Sequence, residues 1–339
     1  MKTFAAKIKT RFADRAAKDI FALIELEMAL VEGEFERQAS SNIQVIDYLG
    51  DYLRASGGKR VRPALLVLAN YASGGKGDDE SVIRLATVME MLHTATLVHD
   101  DIIDNAELRR NRASLNTKFG NQTAVLMGDW LYMSAFETSL KKRSLEILDI
   151  LTSLTRKMTE GEIIQLTVLG NTEITEQQYF DVLRRKTAFL FSACCEIGAI
   201  LAGASMEKQI ALREFGLNLG IAFQLADDVF DFTSDEKTLG KAAGADLLEG
   251  KITYPLIKLL EADPDSRGIL KTIIDKGAYA ENSRNEINER IAAHNVLAAA
   301  KVAAGEFGDA ARKSLDVLPE TEYRSALDEI SHFVVNRQK

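Results

Sequence analysis

Apolar residues recur at helical spacing along almost the whole chain. The pattern predicts helices over 16–37, 81–104, 124–142, 144–169, 176–203, 207–232, 254–261, 283–304 and 320–335. Period-two alternation bounded by turn pairs, the mark of strands, is scarce. Gly, Ser, Asp and Pro gather at Ser56-Gly57-Gly58, Ser73-Gly74-Gly75-Lys76-Gly77, Gly170-Asn171, 233–252 and 262–268, which read as loops. No stretch resembles a long disordered linker, and no self-similarity appears at periods of roughly 20–50 residues. The expected fold is all-α, a single large helical bundle over residues 1–339. Sites in such bundles are built from side chains on facing helices.

Composition sharpens this picture. Only four prolines interrupt the 339 residues, at 63, 255, 264 and 319, which favours helices. With 46% hydrophobic and 27% charged residues, a soluble globular chain with a sizeable core is expected. A net charge of −8 argues against general nucleic-acid binding, although local basic clusters can still hold phosphates. Cys194 and Cys195 are adjacent and match no zinc or redox spacing, so they read as small buried apolar residues, and a reducing cytoplasm fits. No run of about 18 apolar residues occurs, so no membrane span is expected. Residues 1–18 carry six basic side chains and one acid, Asp14, with Phe4, Ile8 and Phe12 four apart. They read as the first helix of the fold, with a membrane-surface helix or a transit peptide as alternatives.

Two aspartate triads dominate the candidate chemistry: Asp100-Asp101-Ile102-Ile103-Asp104 and Asp227-Asp228-Val229-Phe230-Asp231. Both read DDxxD and both lie in apolar, helix-like sequence. Residues four apart share a helix face, so Asp100 pairs with Asp104 and Asp227 with Asp231. Carboxylates crowded within about 6 Å of helix rise repel one another unless a cation joins them. Hard oxygen ligands of this kind suit Mg²⁺, which bridges carboxylates to substrate phosphates. One triad alone reads as a solvated acidic face; two identical triads beside apolar runs do not.

Cations answer the acids. Gly57-Gly58-Lys59-Arg60-Val61-Arg62-Pro63 leads into an apolar helix and offers backbone N–H groups, Lys and Arg to a phosphate. Taken alone it equally reads as a surface loop. Arg109 and Arg110 follow the first triad by one to two turns. His93 precedes Asp100 by seven residues and falls on a similar helix face, where a lone His is as readily structural. Lys186, Thr187 and Gln224 are unremarkable in isolation. The polar segment from Gly240-Lys241 through Gly250-Lys251-Ile252-Thr253 reads as a lid over phosphates. It lacks the Walker A spacing, and the chain offers no HExxH, no GxGxxG after a strand and no Ser-His-Asp arrangement.

These blocks resemble the trans-isoprenyl (polyprenyl) diphosphate synthase family. The resemblance rests on GGKRVRP at 57–63, HTATLVHDDIID at 93–104, Arg109-Arg110, GDWLY at 128–132, RRKTA at 184–188, FQLADDVFD at 223–231, and GKxxGxD with EGKxTxP at 240–255. The motif-bearing core spans about 57–255, between an N-terminal helix over about 1–38 and scaffold-like helices over about 256–339. The family has Gly where Asn111 stands and Pro-Thr where Ala113-Ser114 stand, which touches loop geometry more than charge.

The resemblance implies an isoprenoid synthase-like fold around a central active-site cavity, in a Mg²⁺-dependent prenyltransferase that joins isopentenyl diphosphate to an allylic diphosphate. It implies that Asp100, Asp104 and Asp227 ligate three Mg²⁺ ions, with Asp101, Asp228 and Asp231 in support. It places the allylic diphosphate on Arg109, Lys186, Lys241 and Lys251, and isopentenyl diphosphate on Lys59, Arg62, His93 and Arg110. Thr187 and Gln224 would line the reacting centre. A cytoplasmic homodimer is also implied. In this family bulky aromatics four and five positions before the first triad resemble a tunnel floor; here those positions are Thr96 and Ala95. Leu92 and Met89 continue that wall about 16 Å back from Asp100. Met133, Phe136 and Ser139 are expected on the facing wall, with ordinary core packing as the plainer reading. The expected product is therefore long, of quinone side-chain scale. A short-chain farnesyl or geranylgeranyl synthase is the alternative, and a terpene cyclase or a non-catalytic partner subunit fits the two intact triads less well.

Overall fold

Side-chain caps begin several helices at the places the chain supplies them. The computed structural model describes residues 18–110, 112–233, 244–280 and 283–336. In chain order the first elements are α1 (Glu25–Ala39), α2 (Gln44–Arg54), α3 (Val61–Ala72) and α4 (Glu80–Ile103). A two-residue ribbon, β1 (Leu108–Arg109) and β2 (Arg112–Ala113), leads into α5 (Leu115–Phe119), α6 (Asn121–Leu140) and α7 (Leu145–Val168). Next come α8 (Glu176–Leu183), a π-helical turn (Arg184–Ala188), α9 (Phe189–Leu201) and α10 (Met206–Thr233). The chain closes with α11 (Ala245–Leu248), α12 (Tyr254–Ala262), α13 (Ser266–Lys276), α14 (Ser283–Ala293), α15 (Val296–Ser314) and α16 (Glu322–Asn336). Asp79 caps α4 by accepting from Ser81 N at 2.8 Å. Thr175 and Gln178 form a reciprocal capping box at α8.

The all-α expectation holds, with local departures. The single helix expected over 283–304 is two, because Asn295 adopts φ 53°, a left-handed conformation Asn tolerates better than most residues. The loop expected over 262–268 is shorter, since α13 already starts at Ser266. The stretch expected as one helix over 176–203 contains the π turn. Most of the basic N-terminal segment and Lys241 lie outside the described residues, as does Asn111.

Two apolar clusters lie on either side of α10. Leu212, Phe215 and Leu219 join the larger one with α3, α4, α6 and α9; Ile221, Leu225 and Val229 join the other with α8, α12 and α15. Helix α4 sits deep in the larger cluster, with Leu85, Met89, Met91, Leu92 and Ala95 fully buried. It is long and apolar enough to cross a bilayer on length and composition alone, and its burial within the bundle accounts for that composition. Cys194 and Cys195 are buried free thiols on α9, and burial raises both above the ordinary thiol range.

Candidate active site

Helical phase divides the work of the first triad. Asp100 and Asp104 are half-buried on one face near the end of α4, while Asp101 is buried on another, at 3% exposure. Burial pushes the Asp100 carboxyl up to about 7. Lys186 opposes that rise, and the nearby charges of Glu162 and Asp104 add to it. Asp104 accepts from Lys251 Nζ at 3.2 Å through both oxygens. Lys251 belongs to the turn that precedes α12, so this contact ties that turn to the first triad.

Asp101 pairs with a cation of the ribbon that follows α4. Its carboxylate takes Arg109 Nε at 2.7 and 2.8 Å and Nη2 at 2.5 Å. Arg109, expected on the allylic diphosphate, is thus engaged by Asp101 and braces the ribbon after α4.

The second triad projects from α10. Asp227 is half-buried, and Asp228 and Asp231 are each 2% exposed. Asp228 is held by protein donors. It accepts from Tyr179 OH at 2.5 Å, Gln224 Nε2 at 3.2 Å and Tyr254 N at 3.3 Å. Burial still pushes its carboxyl up to about 7, against the pull of those hydrogen bonds. Thr187 Oγ1 donates to Gln224 Oε1 at 3.1 Å, so the two residues expected at the reacting centre do meet.

The π turn delivers Lys186 and Thr187. Helices α7 and α10 approach it closely: a Cβ on Gly161 would stand 2.7 Å from Arg185 Cβ, and one on Gly220 2.6 Å from Ala188 Cα. Extra-residue turns of this kind concentrate at functional sites. Two ion pairs straddle Gly161, Arg185 with Glu160 at 2.5 Å and Lys186 with Glu162 at 2.8 Å. A cavity of about 160 Å³ opens between α7, the π turn and α10, lined by Gln165, Lys186, Thr187, Gln224, Asp228 and Lys251.

A separate cationic cluster forms where the GGKRVRP turn meets α4 and the ribbon. Arg60 adopts φ 49° ahead of α3 and pairs with Glu32 at 2.5 Å and the buried Glu90 at 2.7 Å. Arg62 lies over the Phe191 ring at 5.1 Å, and its buried Nε has no hydrogen-bond partner among the described residues. Arg110 donates to the Gly57 carbonyl, and Lys59 is exposed. Burial, then Arg62, Arg110, Arg109 and Arg60, hold His93 well below its usual range, so it is neutral at neutral pH. Arg60 is engaged by two carboxylates, whereas the buried Arg62 Nε keeps an unused donor among the described residues.

The tunnel residues divide. Ala95, Leu92 and Met89 are fully buried on α4, Thr96 and Phe136 are half-buried, and Ser139 is 5% exposed. Met133 is a correction: it is 63% exposed on α6 and supplies no interior wall within one chain. The motif reading missed Glu90, Glu162, Gln165 and Tyr179. Their spacing carries a weak signal, since Glu90 precedes His93 by one turn and Gly161-Glu162 precedes Gln165 by one turn.

Among the described residues no three carboxylates or imidazoles are gathered closely enough to cage a metal by themselves. Mg²⁺ takes one or two carboxylates and completes its shell with water and substrate phosphates. The donor set is all oxygen, and burial, with the charges of Glu162 and Asp104 adding to it, raises Asp100; a divalent cation would relieve both effects.

Comparison with known proteins agrees with this geometry. The family model described as polyprenyl synthetase matches residues 43–291. Octaprenyl diphosphate synthase of Escherichia coli is 37% identical over 92% of this chain and 96% of its own. A polyprenyl synthase crystal structure from Caulobacter crescentus, complexed with calcium and isoprenyl diphosphate, superposes with TM-score 0.89 at 35% identity, covering 95% of this chain and 98% of that one. A decaprenyl diphosphate synthase structure from Rhodobacter capsulatus gives TM-score 0.89 at 34% identity, over 95% and 99%. The model match spans the basic turn and both triads, and the chain belongs to the polyprenyl synthetase family.

Proposed function

We propose that this enzyme is a long-chain trans-polyprenyl diphosphate synthase. It condenses isopentenyl diphosphate, head to tail, onto an allylic diphosphate. The observation that carries the reading is the separation of two anion sites. One brings Asp100 and Asp104 of α4 together with Lys186 and Lys251. The other is the Lys59, Arg62 and Arg110 cluster around neutral His93. A reaction with two diphosphate substrates needs both.

Asp100, Asp104 and Asp227 are the residues that would hold Mg²⁺, three ions per site. The bound ions supply positive charge to the departing diphosphate. Lys186 and Lys251 add theirs, with Lys241 joining from outside the described residues. The allylic carbon–oxygen bond breaks and its electron pair leaves with the diphosphate. The alkene pair of isopentenyl diphosphate forms the new carbon–carbon bond, and the released diphosphate takes the proton lost from the adjacent carbon. Thr187 and Gln224 present oxygen to the cation without attacking it, and the cavity walls keep water out.

Small side chains at Ala95 and Thr96 favour a long product, because neither can floor a tunnel as an aromatic ring would. A homodimer is supported by an exposed stripe on α6 (Leu126, Met133 and Leu140 at 68%, 63% and 46%).

Incubation with labelled isopentenyl diphosphate and farnesyl diphosphate tests the reading. Incorporation that needs both substrates and stops when a chelator removes divalent metal is expected. Diphosphate release from farnesyl diphosphate alone, with no incorporation, would point to a cyclase instead.

A further inference from the structure

The hydrogen bonds around the second triad converge on Asp228, and one of their donors, Tyr179, lies outside every motif. Thr187 Oγ1 donates to Gln224 Oε1 at 3.1 Å, and Gln224 Nε2 donates to Asp228 Oδ1 at 3.2 Å. The Tyr179 hydroxyl donates to Asp228 Oδ2 at 2.5 Å, and Tyr254 N reaches the same oxygen at 3.3 Å. We propose that Tyr179 is a positioning residue for the condensation, acting through Asp228 on Gln224 and Thr187. The inference rests on the synthase reading above.

The chemistry of an amide explains why such a residue is needed. A Gln side chain can rotate end for end, presenting either its oxygen or its NH₂ to the cavity. Only the oxygen stabilises an adjacent cation; the NH₂ repels it. Asp228 Oδ1 takes the NH₂ end of Gln224 while Tyr179 and Tyr254 N both donate to Oδ2, and this leaves the Gln224 oxygen toward Thr187. Asp228 in turn has to stay in one rotamer. Tyr179 fixes it from α8, within a ring cluster formed with Phe180 at 5.3 Å and Tyr254 at 5.8 Å between centroids. The backbone of Tyr254 opens α12, so the same carboxylate also anchors the turn that carries Lys251.

Two variants separate positioning from packing. Tyr179→Phe keeps the ring and removes the hydroxyl. Phe180→Leu loosens the same cluster, where Phe180 also meets Tyr254 and Phe307 at 5.6 Å, but leaves the relay intact. For Tyr179→Phe, kcat should fall about tenfold, the weight of one hydrogen bond to a charged group, with both KM values within about twofold of the wild type. Phe180→Leu should lower Tm at least as much and leave kcat within about twofold. Wild-type kcat in Tyr179→Phe, or kcat losses in both variants that track their Tm losses, would overturn the proposal. A crystal structure of Tyr179→Phe gives a readout independent of turnover. Gln224 should be turned or split between two orientations, and an unmoved Gln224 counts against the relay. If the wild type elongates nothing, the synthase reading fails, and Gln224 in that crystal structure still decides whether Tyr179 sets its orientation.

Discussion

Adjacent residues of one motif do different jobs because a helix turns about 100° per residue. Asp100 faces Lys186; Asp101 faces inward and holds Arg109. Asp100→Asn should therefore cut kcat by about a hundredfold or more while leaving Tm nearly unchanged. Asp101→Asn should instead lower stability by ~1–3 kcal/mol, read from urea denaturation, because a buried partner of Arg109 is lost. Equal behaviour of the two variants in both assays would contradict this division. The acids themselves were legible in the sequence; which of them would be saturated by protein donors was not. Arg109 and Tyr179 reach their partners only after the chain folds back. His93 gives a pH test. Its folded pKa lies well below the ordinary 6.5, so the neutral form is favoured by folding. Stability from this group is fully present above about pH 6.5 and is lost as pH falls toward the folded value. Tm should drop less between pH 7.5 and 5.5 for His93→Asn than for the wild type, by about the linkage of this one group. Parallel curves would mean that His93 is not held neutral.

Among the elements, the long amphipathic helices were readable because burial on one face imposes a period on the sequence. Helix α4 was expected over 81–104 and occupies Glu80–Ile103. The short α2 and α13 were missed, as was the break at Asn295, which depends on one residue taking a left-handed conformation. The π turn was invisible for a different reason. RRKTA is ordinary helical sequence, and the extra residue appears where Gly161 and Gly220 let two helices press on the turn from either side. Gly161→Ala puts a Cβ 2.7 Å from Arg185 Cβ and 3.1 Å from Lys186 N. The turn then has to shift, at a cost of ~1–3 kcal/mol. A lower urea midpoint together with a raised KM for the allylic diphosphate is expected, with the KM for isopentenyl diphosphate unchanged. Unaltered kinetics would show that the turn does not need this close approach to aim Lys186.

At the scale of the molecule, both anion sites depend on helices that meet only in the folded bundle, yet their residue types were already paired along the chain. The exposed apolar stripe was less legible, because Met133 at helical spacing looks the same whether it faces a core, a tunnel or a second copy. Its 63% exposure favours the last. Replacing Leu126 and Met133 together by Glu should shift the protein toward the monomer in light scattering. An unchanged mass would remove α6 from the interface.

The most direct test of the central claim is the length of the product. Purified enzyme with Mg²⁺, labelled isopentenyl diphosphate and farnesyl diphosphate should give, after dephosphorylation, a dominant long-chain alcohol well beyond about C20, because neither Ala95 nor Thr96 puts an aromatic floor on α4 within the first turns below Asp100. A dominant product near about C20 would place a floor within the first turns below Asp100 and contradict the long-chain account.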